Sequence, residues 1–209
     1  AMSARGVPVF NAPGANANAV KELVLTGMLL AARHIAPALQ FVAALDTASP
    51  DREKIIEDGK KAFAGYELAG QTLGIVGLGK IGCLVADAAI TLGMNVLGYD
   101  PAITVDAAWS LPSQVKRATS VNEVLRSAQF VSLHVPLVDA TRGLVNSANI
   151  GLMRAGAVLL NFSREGVADN AAIVEALGTE RLAAYVCDFP SAELHAHPRV
   201  VALPHLGAS

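Results

Sequence analysis

Three polar residues stand just beyond apolar, strand-like runs, which is where ligands gather in open parallel sheets. Arg164 follows the run ending Leu159-Leu160-Asn161-Phe162-Ser163, Glu193 comes after Cys187-Asp188, and His205 comes directly after Val200-Val201-Ala202-Leu203-Pro204. Singly, each has an ordinary explanation as a surface arginine, a solvated loop glutamate or a structural histidine. Together they make a workable chemistry. A guanidinium can clamp a carboxylate bidentately, and an imidazole can trade a proton with a carbinol oxygen. A carboxylate beside that imidazole favours its protonated form.

A second constellation sits earlier in the chain. Leu73-Gly74-Ile75-Val76 has the pattern of a buried strand and runs straight into Gly77, Gly79 and Gly82, then into a helical pattern through Val85, Ala88, Ala89 and Leu92. Each glycine answers a steric demand. Gly77 permits a tight turn, Gly79 lets backbone approach a pyrophosphate, and Gly82 lets the helix pack closely on its strand, leaving free N–H groups aimed at the anion. Asp100 ends the next strand-like run, Asn95-Val96-Leu97-Gly98-Tyr99, eighteen residues beyond Gly82. A carboxylate there accepts hydrogen bonds from an adenosine ribose, so the pattern implies NAD rather than NADP.

These residues need rigid elements to hold them, and alternating strand and helix patterns run without a linker from Leu73 to the end. Helices are expected over 120–128 and 169–177, the first with Ser120 as N-cap and Glu123 at the capping-box position. Strands are expected over 130–134, 157–162, 182–187 and 200–203. Such alternation implies an α/β fold, a Rossmann-type doubly wound parallel sheet forming one domain over 1–209. Before it, one helical pattern covers about 17–45, interrupted near Pro37, followed by a polar stretch over 47–61.

Composition narrows the function classes. Hydrophobic residues make up 53% and charged residues 16% of the chain; soluble domains usually carry about a quarter charged residues, so some apolar surface is expected to have a partner. The net charge is −2, and no basic run is longer than Lys60-Lys61 or Lys116-Arg117, so nucleic acid is not expected. The most apolar stretch, 23–32, falls far short of the ~20 residues of a spanning helix and reads as a buried helix, with no membrane partner expected. Ala1-Met2-Ser3-Ala4 holds no apolar signal core, and Cys83 and Cys187 form no paired motif, which fits a reducing cytoplasm. No metal is expected: His195 and His197, beside Pro198, have no further ligands near them in sequence.

The chain resembles the nucleotide-binding domain of the D-2-hydroxyacid dehydrogenases over essentially its whole length. The matching stretches are Val9-Phe10-Asn11-Ala12-Pro13-Gly14-Ala15-Asn16, the glycine turn with Tyr99-Asp100-Pro101, Leu133-His134-Val135-Pro136-Leu137, Asn161-Phe162-Ser163-Arg164, and Pro204-His205-Leu206-Gly207-Ala208-Ser209. The resemblance implies that Arg164, Glu193 and His205 are catalytic. It also implies cofactor contacts from Gly77, Gly79, Lys80, Ile81 and Gly82 at the phosphates, Asp100 at the ribose, and Val135 and Pro136 beneath the adenosine side. Phe162, Ser163, Arg164, Asp188, His205, Gly207 and Ala208 would lie toward the nicotinamide. The implied reaction is NAD-dependent oxidation of a small D-2-hydroxy acid, with 3-phosphoglycerate, a metabolite of serine biosynthesis, as the expected substrate.

The sequence departs from the family around the glutamate, where Asp188-Phe189-Pro190 and Glu193-Leu194 replace the family's Asp-Val-Phe and Glu-Pro. The resemblance further implies that a substrate-binding half lies outside this chain, so the isolated chain is expected to be nearly inactive. It implies a homodimer through the N-terminal helical region, with Leu23, Leu25, Met28, Leu29, Ala32 and Ile35 as the apolar stripe. Two other readings remain at this level: a non-catalytic NAD sensor of the corepressor type, and a methyltransferase, which leaves Arg164, Glu193 and His205 without a purpose.

Overall fold

A computed structural model describes residues 5, 6, 8, 14–46 and 48–208. Residues 9–13 and Ser209, which carry parts of two matching stretches, lie outside the described residues. Helices α1 (Ala17–Ala32), α2 (Ile35–Ala43) and α3 (Arg52–Gly59) precede the sheet. There follow β1 (Thr72–Val76), α4 (Lys80–Thr91), β2 (Asn95–Tyr99), α5 (Val105–Ser110), β3 (Lys116–Arg117), α6 (Val121–Ser127), β4 (Phe130–Leu133) and β5 (Ala157–Asn161). The chain continues with α7 (Asn170–Gly178), β6 (Leu182–Cys187), α8 (Ala192–His195) and β7 (Val200–Ala202).

The strands form one parallel sheet in the order β3-β2-β1-β4-β5-β6-β7. From β1 the chain winds outward through β2 to β3, then returns to place β4 on the other side of β1. The direction of winding therefore reverses between β1 and β4, and a crevice opens there beyond the carboxyl ends. Helices cover both faces, so β4 and β5 are buried at every position and read as continuous apolar runs. On one face α1 and α4 supply Val24, Met28, Val85 and Ala89 to a core with Leu160 and Val186. On the other, α6 and α7 supply Val124, Leu125, Ile173 and Leu177 against Val131 and Leu159. Each such side chain contributes about 1.5–3 kcal/mol by leaving water. Gly27 brings α1 onto the sheet: a Cβ there would sit 2.9 Å from Val186 and 3.2 Å from Leu160.

Several local expectations change in the folded chain. The first long helix breaks at His34, whose φ of 49° is left-handed, and not at Pro37, which sits in the first turn of α2 where its missing N–H does no harm. The polar stretch over 47–61 contains α3, and the connector after Asp100 contains α5 and β3, all too short to show a hydrophobic period. Ser120 Oγ does accept from the Glu123 N–H at 3.1 Å, but the Glu123 carboxylate turns to the Thr119 N–H at 2.7 Å instead of completing the box at Ser120. Of the apolar stripe, Met28 and Ala32 are fully buried inside their own domain, and among the six Leu29 stands out as exposed at 42%. Exposed apolar side chains lie instead on α2, with Leu39 at 63% and Val42 at 58%, and on α5, with Trp109 at 86% and Val105 at 71%. No single helix among the described residues is long and apolar enough to cross a membrane. The pair α1 and α2, bent by 68°, passes only by length and composition.

Candidate functional site

The turn after β1 has the geometry its glycines suggest. Gly77 has a φ of 96°, donates its N–H to the Tyr99 carbonyl at 2.9 Å, and leaves no room for a Cβ, which would meet the His134 carbonyl oxygen at 2.5 Å and Val135 Cγ1 at 3.0 Å. A Cβ on Gly82 would strike the Gly77 carbonyl, so only glycine lets α4 start this close to the turn. Gly79 is different. Nothing lies within 4 Å of the place its Cβ would occupy, and as N-cap of α4 it caps none of the helix's first N–H groups with a side chain. Uncapped amides facing open space beside a backbone without side chain suit a pyrophosphate. The Lys80 side chain folds over Gly14.

Asp100 stands at the end of β2, and both of its oxygens are engaged. Oδ2 accepts from the Leu78 N–H and Oδ1 from the Ala102 N–H, each at 2.8 Å. The carboxylate is therefore held facing the glycine turn. Its charge, together with burial, pushes the Cys83 thiol up, and burial does the same to Cys187, so neither cysteine offers a thiolate.

The other half of the crevice is built by sheet register. Asn161, Cys187 and Ala202 are neighbours at the ends of β5, β6 and β7. Arg164, Asp188 and His205 follow these three positions and are thereby brought to one end of the sheet. Arg164 is exposed, with Nη1 donating to the Ser163 carbonyl at 2.6 Å and, among the described residues, no ion pair to its guanidinium. His205 is exposed too, held at a left-handed φ of 51° with its ring edge-on to Phe189 at 5.0 Å between centroids. That backbone state costs roughly 1–2 kcal/mol in a residue with a Cβ. The turn is tied down from α1, because Asn16 Nδ2 donates to the Gly207 carbonyl at 2.8 Å.

Asp188 is 3% exposed, and its Oδ1 has no hydrogen-bond partner among the described residues. Burial pushes its carboxyl up from the ordinary range, opposed by the charge of His205 and by the Gly207 N–H. A Cβ on Gly207 would meet Val20 Cγ2 at 2.8 Å and Asp188 Oδ2 at 3.6 Å, so this backbone is pressed between α1 and the carboxylate.

Glu193 lies exposed in the short helix α8, and among the described residues no ion pair joins it to His205. The Phe162 ring is buried against α1 near Gly27. Ser163 is buried, with N–H and Oγ both directed to Asn161 Oδ1.

His134 lies in the stretch Leu133-His134-Val135-Pro136-Leu137, just past the end of β4. Its ring Nε2 shares a 2.8 Å hydrogen bond with Ser132 Oγ, Nδ1 is enclosed without a partner among the described residues, and burial lowers its pKa to about 4, so it is neutral at physiological pH. The sequence signal was a polar pair at strand spacing, Ser132 and His134, inside an otherwise apolar run. Among the described residues no group of three or more His, Cys, Asp or Glu side chains could hold a metal ion. A cavity of about 480 Å³ at the opposite end of the sheet, lined by His34, Tyr66, Glu180 and Arg199, includes none of the candidate site residues.

A doubly wound sheet with an open glycine turn, an acid held against that turn at the end of β2 and polar side chains gathered at the same end of the sheet defines a dinucleotide-binding domain of an oxidoreductase type. The profile of the D-isomer specific 2-hydroxyacid dehydrogenase NAD binding domain matches residues 25–207, and the chain belongs to that family. It is 38% identical to D-3-phosphoglycerate dehydrogenase of Methanocaldococcus jannaschii, covering 100% of this chain and 38% of that protein. It is 36% identical to hydroxypyruvate reductase of Thermotoga maritima, covering 98% of this chain and 64% of that protein. The holo form of Rhodotorula graminis D-mandelate dehydrogenase superposes with a TM-score of 0.82 at 27% identity, over 99% of this chain and 60% of that one. The chain thus spans less than two thirds of the length of these relatives, and its cofactor is NAD.

Proposed function

We propose that this domain serves an enzyme that oxidises the 2-hydroxyl of a small D-2-hydroxy acid to the ketone, with 3-phosphoglycerate as substrate. The substrate choice is supported by the phosphoglycerate dehydrogenases among the relatives, including that of Bacillus subtilis at 37% identity. A dehydrogenase for another 2-hydroxy acid is the alternative, because hydroxypyruvate reductase matches at nearly the same identity. The observation that carries the reading is the register of β5, β6 and β7, which places Arg164, Asp188 and His205 at adjoining strand ends.

NAD, when bound, supplies the acceptor for the hydrogen leaving the carbinol carbon. Gly77, Gly79, Lys80, Ile81 and Gly82 would hold its phosphates, Asp100 its ribose, and Val135 and Pro136 its adenosine side. The backbone of Phe162, with Ser163, Asp188, Gly207 and Ala208, would border the nicotinamide end. His205 takes the hydroxyl proton as the carbonyl forms, and Arg164 holds the substrate carboxylate and the developing carbonyl oxygen. Glu193 is the carboxylate assigned to the resulting imidazolium. Asp188 is a second candidate for that task, since the charge of His205 acts on its buried carboxyl. Residues that grip the rest of the substrate belong to a second domain, consistent with the share of the relatives' length that this chain covers. A homodimer through the N-terminal helices is part of the same proposal, supported by Leu39 and Val42 on α2, exposed at 63% and 58%.

The experiment is steady-state NADH formation by the full-length enzyme with 3-phosphoglycerate, D-glycerate and D-lactate, repeated with His205→Ala and Arg164→Ala. Turnover fastest on 3-phosphoglycerate, abolished by His205→Ala and slowed with a raised KM by Arg164→Ala, is expected. Absence of turnover on every hydroxy acid, with NAD binding retained, would favour a sensor and overturn the proposal.

A further inference from the structure

Asn161 ends β5 with its side chain fully buried, and every polar atom of its amide is committed. Oδ1 accepts from the Ser163 N–H at 3.1 Å and from Ser163 Oγ at 2.7 Å. Nδ2 donates to the Arg164 carbonyl at 3.0 Å and to the Tyr185 hydroxyl at 3.4 Å. The orientation is forced, because a backbone N–H only donates and a carbonyl only accepts; flipping the amide would set donor against donor and acceptor against acceptor. The backbone of Asn161 joins in, its carbonyl accepting from the Asp188 N–H at 3.4 Å.

This arrangement exceeds what ending a strand requires. The turn over 162–164 leaves the sheet and exposes Arg164, yet its path is dictated from inside by one buried amide that grips the residue before Arg164 and Arg164 itself. Tyr185, 2% exposed on β6, anchors that amide from the neighbouring strand. An arginine acting as a bidentate clamp needs its root fixed, since its long side chain amplifies any change in backbone direction. We infer that Asn161 is a positioning residue for Arg164, setting the backbone from which the guanidinium meets the substrate carboxylate. The inference rests on the reading of Arg164 as that clamp.

The test uses the full-length enzyme with Asn161→Asp, Asn161→Ser, Arg164→Ala and the double variants. Asn161→Asp keeps the shape and the acceptor for Ser163 but has no donor for the Arg164 carbonyl. Asn161→Ser is smaller and uncharged, and serves if the buried aspartate prevents folding. In either variant KM for the hydroxy acid should rise about tenfold, the scale of one lost hydrogen bond, while NAD affinity changes less than about twofold. In the Arg164→Ala background the same change should add almost nothing to KM, whereas a purely structural role for Asn161 would add equally in both backgrounds. Folded Asn161 variants with unchanged KM, or with equal increments in both backgrounds, would overturn the inference alone. An Arg164→Ala enzyme with unchanged KM would overturn the clamp reading, and the inference with it.

Discussion

Replacing Asp100 with asparagine tests the cofactor half of the site by a change of one atom. In the wild-type domain both carboxylate oxygens accept backbone N–H groups at 2.8 Å, from Leu78 in the glycine turn and from Ala102 in the following loop. An asparagine offers one oxygen and one NH₂, so in either orientation one of those two N–H groups faces another donor. A hydrogen bond to a charged acceptor contributes about 1.5–3 kcal/mol, and because Asp100 is half-buried the lower end applies. For a domain of this size a loss of about 1.5 kcal/mol lowers Tm by roughly 3–6 °C. The same substitution removes one of the two acceptors for a ribose diol, so NAD should bind about tenfold more weakly. It also removes the negative charge that opposes a 2′-phosphate. A wild-type preference for NAD over NADP of at least about tenfold should therefore fall to within about threefold. Calorimetric titration of wild type and Asp100→Asn with both nucleotides, alongside thermal melts without ligand, separates the effects. A lower Tm with an unchanged NAD to NADP ratio would show that Asp100 only ties the turn to its loop, and would refute its role at the ribose.

Other outcomes follow from the remaining groups. Because burial lowers the pKa of His134 from its ordinary 6.5 to about 4, the stability it contributes is complete above pH 6.5 and is lost as pH falls toward 4; that window amounts to at most about 3 kcal/mol. Urea midpoints measured between pH 4 and 8 should lose much of this slope in His134→Gln, and an identical slope would show that other groups cause it. Light scattering at high micromolar concentration should give the mass of two chains, and Leu39→Glu with Val42→Glu should give one; a wild-type monomer would count against the proposed pairing. The 209-residue chain alone should bind NAD yet oxidise 3-phosphoglycerate far more slowly than the full-length enzyme, because orientation by a closing domain can be worth about 7–11 kcal/mol of barrier. Comparable rates would show the site to be complete within this chain.

What could be read from sequence divides along physical lines. The glycine turn was readable because each demand there is made on a single residue: a φ of 96° at Gly77 and the absence of a Cβ at Gly82 are properties of residue type, visible without a fold. The break between α1 and α2 was misplaced because residue type pointed to Pro37, whereas the chain turns where His34 accepts a left-handed backbone. The site follows the same division. Arg164 and His205 each stand three residues past an in-register strand end, and Asp188 only one, so the parallel pairing of β5, β6 and β7 is enough to bring them together. Glu193 stands six residues past Cys187, in α8, so the register alone does not fix where it points. The supporting polar residues were hidden for a different reason. Asn161, Ser132 and Asn16 act through hydrogen bonds to atoms that are two residues away in the chain or nearly its whole length away, and in a linear pattern they look only like interruptions of apolar runs. Burial reverses that impression. A polar group enclosed in a parallel sheet is costly unless its partners are in place, so a side chain such as Asn161, with every bond made, marks where the fold has committed energy to the direction of a backbone.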